Sequence, residues 1–159
     1  MRLHAARLRF RRPRNADIPR LVEIELRSFF APQYHNHRLT AENFTEMMKQ
    51  EKTFLLVAEY GQHIIGDLIG GLPADTSRLA HLNSIAVDSK WRGRGVGGCL
   101  AARLVAKARR AGHAGVSLEV AQSNLRGQRL FTALGFRRQR RLVGYYGRID
   151  GIRMVLRFR

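Results

Sequence analysis

The run Arg92-Gly93-Arg94-Gly95-Val96-Gly97 constrains this chain more than any other stretch. It stands between an apolar strand-like segment, Leu79 to Val87, and an alanine-rich helical one, Ala101 to Ala111, with Gly112 as its stop. Three glycines in six residues let the main chain turn with its N–H groups pointing inward. The positive end of the following helix reinforces them, so the segment suits a diphosphate. It is not a Walker loop, because no Gly-Lys-Ser/Thr follows. Nor is it a dinucleotide fingerprint, which needs an acid about 20 positions on, and Glu119 comes too late. The competing reading of such a turn is a solvated loop.

The rest of the chain supplies the frame. Leu8 to Arg12 alternates apolar and basic residues like an edge strand and stops at Pro13. Asn15 caps an expected helix with Ile18, Leu21, Val22 and Leu26 at helical spacing, and Thr40 caps a second with Phe44, Met47 and Met48. Phe54 to Glu59 and His63 to Leu72 read as a hairpin, and Val116 to Val120 as a buried strand. A helix over Asn124 to Leu134 and two strands, Phe136 to Val143 and Ile152 to Phe158, close the chain. The order β-α-α-β-β-β-α-β-α-β-β implies one α/β domain over residues 1–159, a mixed sheet with helices on both faces. Residues 1–6 are expected to form a loose N-terminal extension.

Charge is the one extreme of composition. Twenty-nine Lys and Arg, 25 of them arginine, face 12 carboxylates, a net +17; after Asp88 only Glu119 and Asp150 are acidic. Such a field attracts polyanions, or it reflects arginine-rich coding and solubility. A lone Cys99 excludes an internal disulfide framework. No apolar run approaches the ~20 residues of a membrane span, and the start lacks a signal-peptide core, so a cytoplasmic location and no membrane partner are expected. His35 and His37 have no third ligand in view, so no metal is expected.

Two blocks of residues carry a resemblance. Leu82-Asn83-Ser84-Ile85-Ala86-Val87-Asp88 followed by Arg92-x-x-Gly95-x-Gly97 strongly resembles the acetyl-CoA motif of the GCN5-related N-acetyltransferases (GNAT). Leu118-Glu119-Val120, Ser123-Asn124, Leu134-Gly135-Phe136 and Tyr145-Tyr146 agree with it. The branch it resembles acetylates protein N-termini, including ribosomal-protein alanine. The resemblance implies a mostly antiparallel sheet with a splayed central pair of parallel strands. It also implies acetyl-CoA as cosubstrate, its diphosphate on the amides of Arg92, Gly93, Arg94, Gly95, Val96 and Gly97, and its pantetheine arm along Ile85, Ala86 and Val87. Asn124 and Phe131 join the cofactor side. Phe131 stands where the family usually carries a tyrosine acid toward the departing sulfur, and phenylalanine has no proton to give.

The expected reaction is direct acetyl transfer to a primary amine, a peptide or protein N-terminal α-amine. At pH 7 an α-amine is ~14% neutral and a lysine ~0.04%, a gap of about 3.5 kcal/mol, so the former needs far less help from a base. Glu119 is the candidate base, with burial expected to raise its pKa toward neutrality; the alternative is a charge held by a neighbouring arginine. His81 is a second catalytic candidate, alternatively a strand histidine with a structural hydrogen bond. By resemblance, Tyr145 and Tyr146 bind the acceptor backbone, although adjacent strand residues point to opposite faces. Phe30 and Tyr34 lie on a loop similar to the aromatic-proline loop that covers the first acceptor residue. Ribosome proximity and a monomer or homodimer complete the expected partners. The rival functions are acetylation of a small amine, and a weakly catalytic CoA-binding or RNA-associated module.

Overall fold

The computed structural model describes residues 7–29 and 38–159. The expected residues 1–6 extension, Phe30 and Tyr34 lie outside them. Seven strands form one sheet in the order β1-β2-β3-β4-β5-β7-β6: β1 Leu8–Arg11, β2 Thr53–Tyr60, β3 His63–Gly71, β4 Ala80–Val87, β5 Gly115–Ala121, β6 Arg137–Tyr146 and β7 Ile149–Arg157. Among the described residues only β4 and β5 run parallel, and their register covers just Ala80–Val116, His81–Ser117 and Leu82–Leu118. Beyond Leu82 the two strands part, so the chain holds the splayed parallel pair.

Among the described residues four α-helices cover the sheet: α1 Ile18–Ser28, α2 Ala41–Lys49, α3 Val96–Arg110 and α4 Leu125–Ala133. Strand alternation divides the core between its faces. Leu21 and Ile24 of α1 and Phe44 of α2 pack with Val57, Ile69 and Ala86 on one face. Leu100 and Leu104 of α3 and Phe131 of α4 pack with Leu118, Ile152 and Met154 on the other. Thr40 caps α2 as its sequence implies, its hydroxyl accepting from the Asn43 N–H at 3.3 Å.

Among the boundaries that differ from expectation, β6 runs on to Tyr146 and β7 begins at Ile149, and two helix starts move as well. Asn15 does not cap α1; a short 3-10 turn over Asn15–Asp17 intervenes, and Asp17 is the residue that precedes the helix. Asp17 is instead drawn to Arg11 at 2.7 Å, tying α1 to the edge strand. Helix α3 begins at Val96, inside the glycine run, because Gly95 adopts φ +84° and turns the chain directly into helical geometry.

Candidate active site

A cleft of about 1030 Å³ opens where β4 and β5 part. His81, Glu119, Tyr145 and Tyr146 line it, as do Ile85, Asn124 and Phe131. Ala86 instead points into the α1 and α2 core. Val87 leads through Asp88 into the glycine turn, which Arg20 braces by pairing with the Asp88 carboxylate. Asp88 also accepts from the Lys90 N–H at 2.9 Å. In the turn Gly93 and Gly95 take φ +75° and +84°, a region closed to most side chains. The first turn of α3 contains no acid and begins with N–H groups that have no intrahelical acceptor.

Side chains around the turn behave differently from one another. The Arg92 guanidinium folds back, donating to Val87 O at 2.9 Å and Ser28 Oγ at 3.2 Å. Arg94 stacks over Trp91, 5.3 Å from the ring centre. Arg126 of α4 leans over Gly93, where an added Cβ would meet its guanidinium at 2.9 Å. Nothing in the sequence alone pairs these two positions.

The chemistry gathers on β5. Glu119, its side chain 6% exposed, meets the His81 Nε2 at 2.9 Å through Oε2. Its other oxygen, Oε1, accepts from Arg153 Nε at 2.8 Å and Nη2 at 2.6 Å. Arg153 stands opposite Glu119 in the β5–β7 register, so the pair shares a face. His81 Nδ1 lies 2.9 Å from Ser117 Oγ.

This arrangement overturns the expected pKa of Glu119. Burial does push the carboxyl upward, but the hydrogen bond and charge of His81, then those of Arg153, outweigh it and hold the group below its ordinary value. Glu119 faces the cleft, and an arginine holds it, as the alternative reading expects. Arg153 was missed because its neighbour is set by register between strands more than thirty residues apart.

The tyrosine pair also departs from expectation. Tyr145 and Tyr146 both line the cleft, their rings edge-to-face at 4.9 Å. The β6–β7 register shifts between Leu142 and Tyr146, and Gly144 takes φ +65°, so strict alternation fails there. Tyr146 donates its hydroxyl to the Glu119 carbonyl at 3.3 Å. Burial and the Glu119 charge raise the pKa of Tyr145. Asn124 caps α4 by accepting from the Gly127 N–H at 2.9 Å while lining the cleft. Phe131 packs edge-to-face against Phe136.

Solved structures share this architecture. The ribosomal-protein-S18-alanine N-acetyltransferase of Escherichia coli is 25% identical with a TM-score of 0.79, over 94% of this chain and 93% of that one. A Salmonella typhimurium protein described as an acetyltransferase, with its cofactor acetyl-CoA, is 23% identical at TM-score 0.80, covering 95% and 94%. A ribosomal-protein-alanine N-acetyltransferase of Brucella melitensis is 24% identical at 0.80, covering 94% and 99%. No curated protein matches the chain in sequence. Residues 18–136 match the Acetyltransferase (GNAT) family, and the chain belongs to it as an acetyltransferase.

Proposed function

We propose that this protein transfers the acetyl group of acetyl-CoA directly to a peptide or protein N-terminal α-amine. The observation that carries the reading is Glu119, clamped between His81 and Arg153 in the cleft where β4 and β5 part. The residues fit the cosubstrate: the Gly93–Gly97 amides suit its diphosphate, and the strand edge at Ile85–Val87, beyond the last β5 pairing, suits its amide-bearing arm. Acetyl-CoA supplies the thioester carbonyl.

Glu119 accepts the proton that the acceptor ammonium must lose before its free amine attacks the thioester carbonyl, directly or through water, and His81 shares it through their hydrogen bond. A carboxylate held below its ordinary pKa is a weak base. It can serve an α-amine, already ~14% neutral at pH 7, far better than a lysine at ~0.04%. A polycationic small amine fits poorly, because Arg153 already balances the charge of Glu119. Tyr145 and Tyr146 flank the acceptor side, and Phe131 offers no proton, leaving protonation of the thiolate to water.

The test is CoA release with peptides bearing free N-termini, Nα-blocked lysine peptides and a polyamine. Free N-termini should react best, and Glu119→Gln should lower turnover by about 10²–10⁴-fold. Unchanged turnover in that variant removes Glu119 as base, and equal rates on blocked lysine peptides remove the α-amine preference.

A further inference from the structure

The net charge of this chain is not spread evenly over its fold. Residues 89–159 carry seventeen Lys and Arg against two carboxylates, Glu119 and Asp150. Both acids are already taken, Glu119 by Arg153 and Asp150 by Arg141. That half of the sequence supplies no further acidic side chain for its other basic groups. They are densest on β6, the outermost strand of the sheet, whose residues Arg137, Arg138, Arg140 and Arg141 are all exposed.

Register sorts these arginines. Arg137 lies opposite Val155 and Arg140 opposite Arg153, so both share the face on which Arg153 and Arg157 stand. Arg138 lies opposite Met154, on the other face. A shift between Arg138 and Arg140 takes up Gln139. At the end of this edge is a groove of about 500 Å³, lined by Arg137, Arg138, Arg157 and Arg159 around Val155, with no Asp or Glu side chain in its wall. Among the described residues, none of these four arginines makes an ion pair.

We propose that this edge is a second binding site, for the phosphate backbone of a single-stranded polynucleotide. Every charged side chain of the groove is a guanidinium, which binds phosphate oxygens in pairs and stacks on base faces. Alternate strand residues recur every ~6.6 Å, giving a linear strip that a flexible strand can follow. The groove contains neither Glu119 nor the glycine turn, so it stands apart from acetyl transfer.

The experiment is anisotropy titration of labelled U20 RNA between 50 and 200 mM salt. Wild type should bind with a log–log salt slope near −3, about four phosphate contacts at ~0.7 each. Arg137, Arg138 and Arg140 changed together to Gln should lose tenfold or more in affinity at low salt, with the slope flattened by about 2. Arg7, Arg9 and Arg12→Gln remove the same charge at the opposite edge and should bind within twofold of wild type. Equal losses in both triple variants would show that net charge alone attracts RNA and would overturn the site. An unchanged slope in the β6 variant, or tenfold tighter binding of a duplex, would also overturn it. Since β6 arginines are exposed, acetyl-CoA binding by the variant reports that the fold is intact.

Discussion

Glu119 is pulled in opposite directions, and the balance decides what kind of base it is. Its side chain is almost wholly buried, which favours the neutral acid, yet His81 and Arg153 each stabilise the anion. Removing Arg153 takes away one of the two stabilisers. Arg153→Leu should therefore raise the Glu119 pKa and move the acidic limb of the kcat/KM profile up by roughly one pH unit. Arg153→Lys, which keeps the charge and loses the forked geometry, should move it less. A profile unmoved by Arg153→Leu would mean that a group other than Glu119 sets the acidic limb.

Among the elements, the glycine turn and the β6–β7 hairpin do the positioning. An added Cβ at Gly95 meets nothing within 4 Å, so the cost of a side chain there is conformational. Gly95→Ala at φ +84° should destabilise the fold by about 1–2 kcal/mol and weaken acetyl-CoA binding, because the amides before α3 would swing away. Thermal unfolding and calorimetry read the two effects separately; native affinity in a destabilised variant would show that those amides do not grip the ligand. The hairpin works through its irregularity. Without the register shift before Tyr146, only one of two neighbouring tyrosines could face the cleft.

At the scale of the whole molecule, the strongest conflict lies under α1. Glu25 and Asp67 are both buried, at 1% and 2% exposure, and share no cation. Ser84 donates to Glu25 Oε1 at 2.9 Å, while among the described residues no donor reaches Glu25 Oε2 or either Asp67 oxygen, and the two carboxyls face each other. Only protons can satisfy them. Burial raises Glu25 to about 7, and burial together with the Glu25 charge raises Asp67 well above its ordinary value. The folded state thus holds these protons at pH values where the unfolded chain, with carboxyls near pKa 4, has released them. Stability should be greatest near pH 5 and fall as pH rises through 7, by up to about 1.4 kcal/mol per pH unit for each proton. The salt-bridged Asp17 and Asp88, lowered instead, lose their contribution only below about pH 4. Asp67→Asn should roughly halve the slope between pH 5 and 7 in urea unfolding. An unaltered slope would mean that Asp67 ionises freely in the fold.

The element order, the glycine turn, the Thr40 cap and the prominence of Glu119 were legible in the sequence, because each rests on residues close together along the chain. Capping, turn geometry and hydrophobic period act over a few bonds. The clamp of Arg153 on Glu119, the face shared by both tyrosines, the lean of Arg126 over Gly93 and the Glu25–Asp67 pair were decided only by the tertiary structure. Each depends on strand register or helix docking between distant segments. A shift of one residue in either would send those side chains to the opposite face of the sheet.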